Sequence, residues 1–319
     1  MHTEILPTLP THAREQYDAL LKQAGLEPDL PPQEYVLLWE QDKLVATGAR
    51  QEHILKYIAV DPLYQGEGLT ATLLTALKTS ALTAGYDHLF LYTKPKNKFQ
   101  FRSLFFYPIA QTRDVLLMED RRDGIKTFLS TLPRPCAEGK IGAAVMNCNP
   151  FTLGHRYLIE TAAKQCDHLY VFLLSEDKSR FSPHDRMEMA KLGTADLENV
   201  TILPTGPYLI SSATFPTYFL KDRDKAQAHC DLDIAVFSQH YIPHFGITCR
   251  FVGTEPLSPL TEQYNNALRE QLPIPLIEIP RLEQEGQPVS ASRVRAQFPN
   301  IKSLVPESTY TYLNNNNLL

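Results

Sequence analysis

The sequence lacks the charge pattern of a nucleic-acid-binding protein and the long apolar runs of a membrane protein. Its formal net charge is −5 at pH 7, and residues 94–98 (KPKNK) form its only dense basic cluster. Nucleic-acid binding needs a larger positive patch to neutralise phosphates, so we expect no nucleic-acid partner. No apolar run approaches the roughly 20 residues of a transmembrane helix, and charges and prolines interrupt the N-terminal segment where a secretory signal needs an apolar core. We therefore expect no membrane association and a cytoplasmic location.

Cysteine is also scarce. The five cysteines are an odd number and form no C-x-x-C pair, so the sequence predicts neither a disulfide framework nor a zinc site. This usage fits a reducing compartment, and we expect no metal ion held by protein side chains. Cys148 has no neighbouring base in the sequence, and we do not expect it to act as a nucleophile.

The sequence does contain enough apolar residues for two domains. It has 319 residues, of which 43% are hydrophobic, and this length is more typical of two domains than of one. Pro133, Pro135 and Gly139 interrupt the pattern before a new apolar run begins at Ile141. We therefore predict domains at 1–138 and 139–319.

The two halves differ in the order of their predicted elements. The first half contains short strands, then a helix over 69–85 and a strand over 88–93, which is an α+β pattern. The second half alternates strands and helices, with a helix around 216–233 and a strand over 234–243. Such alternation predicts a doubly wound, Rossmann-like parallel sheet, in which ligands bind beyond the carboxyl ends of the strands.

The segment NPFTLGH, residues 149–155, lies between an apolar strand and a helix of this second half. Unpaired N–H groups at a helix start attract phosphate, Gly154 permits a close backbone approach, and His155 adds a donor. An isolated histidine at this place is more often satisfied by local backbone groups. The surrounding motif nevertheless favours a polyphosphate site.

This segment resembles the T/H-x-G-H signature of the nucleotidyltransferase superfamily, and VSASRVR, residues 289–295, is similar to its I-S-S-T-x-x-R signature. A looser match, DKSRFSPHDRMEM, resembles the region that supplies a lysine and an arginine near the phosphates. In this superfamily donors stabilise the departing pyrophosphate, without a protein nucleophile. The resemblance implies catalytic roles for Thr152, His155, Lys178, Arg186, Ser292 and Arg295, and ATP contacts from Asn147, Asn149, Pro150, Phe151, Gly154 and Ser290.

Nearly the whole chain resembles the [citrate (pro-3S)-lyase] ligase family, through IGAAVMNCNPFTLGHRYLIE, YLISSATFPTYFLK, RFVGTEPLSPLTEQYN and VSASRVR. The resemblance implies that ATP and acetate form acetyl-adenylate. The acetyl group then passes to the thiol of a dephospho-CoA-derived prosthetic group on the acyl-carrier subunit of citrate lyase, which activates the lyase. Mg²⁺ is expected to be held mainly by the ATP phosphates, because the motifs supply no carboxylate cluster.

Two further segments have alternative interpretations. The hydroxyl groups of Ser211 and Ser212 beside Tyr208 could hold acetate, or they could cap a helix. Gly253 and Glu255 follow a predicted strand, where they could line the ATP pocket or form a simple turn.

In the first half, VDPLYQGEGLTATLL is similar to the Q/R-x-x-G-x-G/A segment of the N-acetyltransferase (GNAT) superfamily, with Gln65, Gly66 and Gly68 in register. Thr70 stands where that pattern has glycine or alanine, and a plain strand-to-helix turn is the alternative interpretation. We find no convincing general base. We therefore expect a GNAT-like domain that docks a CoA-like group rather than an active acetyltransferase.

Two other functions compete with the ligase. The first is an adenylyltransferase acting on a phosphate acceptor such as phosphopantetheine, which calls for extra basic residues in the acceptor pocket. The hydroxyl-rich stretch 208–218 favours acetate instead. The second is a non-catalytic nucleotide sensor, which the intact motif residues Thr152, His155 and Arg295 make less favourable.

Overall fold

The chain divides into two compact units. In a computed structural model, the structure describes residues 1–135, 138–175, 179–211, 214–220, 224–254 and 259–319. One unit comprises Met1–Gly124 and Phe215–Leu232, and the other comprises Ile125–Thr214 and Asp233–Leu319. These units differ from the predicted domains 1–138 and 139–319. The second unit begins before residue 139, and a segment of the predicted second domain packs in the first unit.

The first unit is built on a seven-stranded sheet in the order β1-β2-β3-β4-β5-β7-β6. Pairing is antiparallel except between β4 and β5, which are parallel. The elements are β1 (His2–Leu6), α1 (Thr11–Ala24), β2 (Glu34–Glu40), β3 (Lys43–Gln51), β4 (Ile54–Val60), α2 (Leu69–Thr83), β5 (Phe90–Thr93), α3 (Lys98–Ser103), β6 (Tyr107–Gln111) and β7 (Leu116–Glu119).

Helix α2 covers one face of this sheet. Its leucines Leu69, Leu73 and Leu77 recur at helical spacing and are buried. They pack in one apolar cluster with residues of β2, β3 and β4, including Val36 and Leu55. The predicted α+β organisation of the first half is confirmed, and α2 begins at the glycine-containing turn that follows β4.

The segment 215–220 joins the first unit through Asp29. This carboxylate accepts hydrogen bonds from the backbone N–H groups of Thr217 (2.9 Å) and Tyr218 (3.2 Å). It also contacts the ammonium of Lys56, which is buried, and the hydroxyl of Tyr57. Burial raises the pKa of Asp29, but hydrogen bonds from Lys56 and Tyr57 outweigh it, so the pKa lies below its ordinary value.

We expect Asp29→Asn to lower the free energy of unfolding by about 3 kcal/mol at pH 7, because the variant removes the carboxylate partner of a buried ammonium. Because the pKa of Asp29 is lowered, its contribution to the free energy of unfolding depends on pH. It is fully present above about pH 4, the pKa of an unfolded aspartate, and it is lost as the pH falls through the lower folded pKa. Urea unfolding at several pH values checks this, with exposed Asp18→Asn as the control. Equal stability of Asp29→Asn and wild type at pH 7 would contradict it.

The second unit contains a five-stranded parallel sheet in the order β10-β9-β8-β11-β12 and a β13-β14 hairpin. The predicted parallel sheet is therefore confirmed. Helices α4 and α7 cross the division between the units. The elements are α4 (Gly124–Thr131), β8 (Ile141–Met146), α5 (Leu153–Ala163), β9 (His168–Leu173), α6 (Pro183–Gly193), β10 (Val200–Pro204), α7 (Lys225–Val236), α8 (Ile242–Phe245), β11 (Cys249–Gly253), α9 (Pro259–Gln271), β12 (Leu276–Ile279), β13 (Glu283–Gln284), β14 (Gln287–Pro288), α10 (Ala291–Ala296) and α11 (Glu307–Asn315).

The strand order has a switch point between β8 and β11. The chain moves outward from β8 to β9 and β10, and then returns to place β11 and β12 on the other side of β8. In open parallel sheets the crevice beyond the carboxyl ends of the strands at such a point binds ligands. The turn that contains NPFTLGH follows β8 and therefore lies at this crevice.

The predicted strand over 234–243 is wrong, because this segment is helical. Helix α7 continues through a π-helical turn, Phe237–Tyr241, into α8. Phe237, Tyr241 and Phe245 recur every four residues, and all three rings contact Phe172 of β9. A short apolar and aromatic run fits either a buried strand or a buried helix, and packing against Phe172 favours the helix.

Among the helices in the described part of the chain, none combines the length and apolar character needed to cross a bilayer.

Candidate active site

A cavity of about 380 Å³ lies at the switch point of the second unit. It is bordered by the end of β8, the start of α5, β11, the end of β12 and the start of α10. Six of the predicted site residues line it: Asn147, Thr152, Gly154, His155, Gly253 and Ser290. The two signature segments, which are far apart in the sequence, therefore meet at one cavity.

Thr152 and His155 form a reciprocal cap at the start of α5. The Thr152 hydroxyl accepts from the backbone N–H of His155 (3.3 Å), and the backbone N–H of Thr152 donates to Nδ1 of His155 (3.1 Å). Because Nδ1 accepts, we assign the proton of the neutral imidazole to Nε2. The cap thus leaves an Nε2–H donor on a residue that lines the cavity.

His155 is neutral at physiological pH in this arrangement. Burial, together with the charge of Arg281, lowers the pKa of His155 to about 4. The ring also stacks on Phe151, with centroids 5.9 Å apart. A neutral donor held in one orientation can bind a phosphate oxygen without reorganising as charge develops.

Gly154 is required by a close backbone contact. A Cβ atom at this position would lie 2.2 Å from the carbonyl oxygen of Val289. The first turn of α5 therefore packs directly on the backbone of Val289, the first residue of VSASRVR. This contact sets the position of the helix N-terminus, where unpaired N–H groups and a partial positive charge attract anions.

The charge of the cavity suits a polyanion. Arg250 and Arg281 line it together with His155, and its described lining contains no carboxylate side chain. Arg281 is held by a hydrogen bond from Nε to the carbonyl oxygen of Thr254 (2.7 Å). Arg281, His155 and the start of α5 fit the triphosphate of ATP, and a magnesium ion at this place would be held mainly by phosphate oxygens.

The VSASRVR segment is hydrogen-bonded to the turn NPFTLGH. The Ser290 hydroxyl caps α10 by accepting from the backbone N–H of Arg293 (3.2 Å). Arg295 donates from Nη1 to the carbonyl oxygen of Asn149 (2.6 Å) and from Nη2 to the hydroxyl of Ser292 (3.1 Å). Neither Ser292 nor Arg295 is among the cavity-lining residues. Their direct catalytic roles stay predictions, and the observed contacts describe a brace between the two signatures.

Arg186 is fully buried and binds backbone rather than facing the cavity. Its guanidinium donates to the carbonyl oxygens of Phe181, Asn147 and Leu174 at 2.7–3.2 Å, and to the side-chain oxygen of Asn147 at 2.6 Å. This arrangement joins the ends of β8 and β9 to the start of α6. A direct phosphate contact from Arg186 stays a prediction, and the structure adds a positioning role through Asn147.

The other predicted residues are placed as follows. The side-chain oxygen of Asn149 accepts from the backbone N–H of Phe181 (3.3 Å), and Phe151 is completely buried. Pro150 lies between them in the turn. None of these three is among the residues that line the cavity.

Tyr208 and Ser211, the described members of the predicted acetate cluster, are not among the residues that line this cavity. Tyr208 is 3% exposed and its ring contacts Phe128, with centroids 5.4 Å apart. Ser211 is half-buried in the segment that follows. The acetate role of this cluster stays a prediction. Lys178, Ser212 and Glu255 lie outside the described residues.

The first unit has a cavity of its own, of about 580 Å³, at the start of α2. Gln65, Gly66, Gly68 and Thr70 line it, together with Lys94. Gly66 and Gly68 have φ values of +94° and +77°, which favour glycine. A Cβ atom at Gly68 would meet nothing within 4 Å, so this part of the turn is open.

Among the cavity-lining residues of the second unit to which the sequence interpretation gave no role are Arg250, Tyr264, Asn265 and Arg281. Arg250 could have been found, since an arginine inside an apolar strand is unusual and often has a buried partner. Arg281 follows the end of β12, where residues reach the crevice of a parallel sheet. Tyr264 and Asn265 lie on α9, and their helical pattern alone gave no signal of a site.

Comparisons with known proteins match two family models to separate parts of the chain. Residues 141–313 match the model of the citrate lyase ligase C-terminal domain, and residues 2–102 match that of the acetyltransferase (GNAT) family. A [citrate [pro-3S]-lyase] ligase of Klebsiella pneumoniae is 43% identical over 315 residues, which cover 94% of this chain and 92% of that protein.

Two further relatives carry the same name. The protein of Escherichia coli strain K12 is 40% identical, covering 92% of this chain and 88% of its own, and that of Haemophilus influenzae is 39% identical, covering 86% and 87%. Identity at this level over nearly the full length of both chains shows common descent of both halves. The chain therefore belongs to the [citrate (pro-3S)-lyase] ligase family.

Proposed function

We propose that the protein is an ATP-dependent, AMP-forming ligase that activates acetate and acetylates the thiol of a dephospho-CoA-type prosthetic group on the citrate lyase acyl carrier. The observation that carries the proposal is the cavity at the start of α5. There the Nε2–H of His155, a helix N-terminus and Arg281 converge, without a carboxylate in the described lining. Membership of the ligase family supports the same assignment.

In the first step, an oxygen of acetate attacks the α-phosphorus of ATP, and the bond to the bridging oxygen breaks to release pyrophosphate. Negative charge develops on the phosphate oxygens as that bond breaks. We assign His155, the N–H groups at the start of α5 and Arg281 to stabilise this charge. Magnesium bound to the phosphates would neutralise further charge.

In the second step, the carrier thiol attacks the acetyl carbon and AMP leaves with the acetate oxygen that had joined phosphorus. The cavity of the first unit is the proposed docking site for the CoA-like group. Lys94, Lys96 and the start of α2 give it positive charge, and its described lining contains no carboxylate. A diphosphate is therefore the group that this cavity suits best.

ATP–pyrophosphate exchange tests the adenylation step. Exchange is measured with acetate, with phosphopantetheine and with no acceptor. We expect exchange with acetate alone, because a carboxylate must be present for pyrophosphate to be released reversibly. Exchange with phosphopantetheine and not with acetate would instead identify an adenylyltransferase acting on a phosphate acceptor.

We expect Gly68→Val to impair acetyl transfer to the carrier by about tenfold or more, while acetate-dependent exchange stays near the wild-type rate. Valine disfavours the left-handed backbone at this residue, and its side chain would project into the open turn. The measurement compares transfer and exchange rates in the same preparation. Leu82→Val, an exposed change near the other end of α2, is the control. Equal acetyl-transfer rates for Gly68→Val and wild type would contradict the proposal that this cavity docks the CoA-like group.

A further inference from the structure

Arg250 has a combination of burial and unused donors that the roles above do not explain. It lies on β11, is 1% exposed and lines the cavity of the second unit. Its Nη2 donates to the hydroxyl of Tyr264 (2.8 Å) and lies 4.0 Å from Asp233. Its Nε and Nη1 have no hydrogen-bond partner within the described ranges of the chain. Leaving buried charged donors unsatisfied is costly, which points to a ligand that satisfies them.

The side chain of Arg250 lies on the opposite face of β11 from the phosphate-binding helix. Neighbouring residues of a strand face opposite sides, and Phe251 packs in the core cluster that contains Ile159 of α5. Arg250 instead lies over the ring of Phe237, 4.5 Å from its centroid. The guanidinium is therefore separate from the donors assigned to the phosphates.

The surroundings of Arg250 favour a small anion. The guanidinium is almost closed to solvent, so a bulky phosphate acceptor does not fit beside it without larger movement. The Tyr264 hydroxyl donates to Asp233 and accepts from Nη2, which fixes the guanidinium through one nitrogen and leaves two others for a ligand. The positive charge and the remaining N–H donors of the guanidinium suit the negative charge and the acceptor oxygens of a carboxylate.

We propose that Arg250 binds the carboxylate of the acyl substrate, with Tyr264 holding the guanidinium in position. This inference rests on the proposed function and names the residue that anchors its acid substrate. It moves the carboxylate from the predicted cluster at Tyr208 and Ser211 to the part of the cavity that Arg250 of β11 and Tyr264 of α9 line. A short, singly charged monocarboxylate is the substrate class that this position takes.

The test measures the KM for acetate and the KM for ATP in the exchange reaction. We expect Arg250→Gln to raise the KM for acetate by about 10- to 100-fold, the range for loss of a charged hydrogen bond, with little change in the KM for ATP. Arg250→Lys should recover part of the loss. Arg269→Gln is the matched control, because Arg269 of α9 is partly exposed and pairs with Glu278 of β12 outside the cavity lining.

Other outcomes overturn the inference. An unchanged KM for acetate in a folded Arg250→Gln variant would show that Arg250 contributes to stability alone. Equal rises in the KM values for acetate and ATP would show that Arg250 binds the nucleotide. A larger rise in the KM for acetate in Ser211→Ala than in Arg250→Gln would instead support acetate binding by the hydroxyl groups near Tyr208. If Arg250→Gln does not fold, Tyr264→Phe keeps the ring and should raise the KM for acetate by a smaller factor, and no rise contradicts the proposal. Failure of the proposed function can be distinguished from failure of this inference, because the wild-type protein would then show no acetate-dependent exchange.

Discussion

His155→Ala is expected to reduce acetate-dependent pyrophosphate exchange by about a hundredfold or more, while the Kd for ATP changes far less. Removing one preorganised donor to a developing negative charge typically costs about this much in rate. The structure gives the reason for the preorganisation. The backbone N–H of Thr152 donates to Nδ1, which leaves Nε2–H as the donor, and the lowered pKa of about 4 keeps the ring neutral.

The control is His184→Ala, an exposed histidine on α6 of the same unit, which should exchange at the wild-type rate. His155→Gln should recover some activity if a neutral N–H donor is what the reaction needs. Near-normal exchange in His155→Ala would contradict the phosphate role. A loss of ATP binding equal to the loss of rate would instead show that His155 acts on the bound substrate and not on the developing charge.

The dependence of protein stability on acid pH provides a second test of the lowered pKa of His155. Because its folded pKa lies below the unfolded value of about 6.5, the unfolded chain binds the proton more readily. The contribution of His155 to stability is therefore lost as the pH falls from about 6.5 towards 4. Replacement by alanine should remove this part of the acid sensitivity, as urea unfolding across that range can measure.

Gly154→Ala is expected to lower the exchange rate by about a hundredfold and the free energy of unfolding by about 1–3 kcal/mol. The added methyl group would lie 2.2 Å from the carbonyl oxygen of Val289, so the start of α5 or the backbone before α10 must move. A displacement of about 1 Å in groups that position a substrate is enough for a rate loss of this size.

Gly253→Ala is the comparison for stability. Its Cβ would lie 3.3 Å from Cδ1 of Leu158, the end of a side chain that can shift. We therefore expect a smaller change in the free energy of unfolding than for Gly154→Ala. If Gly154→Ala exchanged pyrophosphate at the wild-type rate, the contact with Val289 would not be needed to position the catalytic groups.

Local patterns in the sequence predicted the elements around the site well. The residue pattern over 69–85 predicted α2, and the apolar run after Gly139 predicted β8. The turn that starts α5 was recognisable because a cap, a glycine and a histidine there serve both helix formation and anion binding.

Contacts between distant residues could not be predicted in the same way. Nothing in the segment 215–220 indicates that Asp29 receives its backbone N–H groups. Arg186 matched a motif, but the motif does not distinguish a side chain that faces phosphate from one that binds the carbonyl groups at the ends of β8 and β9. Arg250 is recognisable as an arginine inside an apolar strand, but its partners Tyr264 and Asp233 come from other elements and could not be identified from the sequence.

The most direct test of acetate activation follows an oxygen atom. Acetate labelled with ¹⁸O in both carboxyl oxygens is incubated with ATP, the protein and the citrate lyase acyl carrier, and the released nucleotide is examined by mass spectrometry. Attack of acetate on the α-phosphorus, followed by attack of the thiol on the acetyl carbon, leaves one ¹⁸O in AMP. We predict one labelled oxygen in each AMP formed with acetylated carrier. Unlabelled AMP, or ADP with the label in inorganic phosphate, would contradict acetate activation by adenylation.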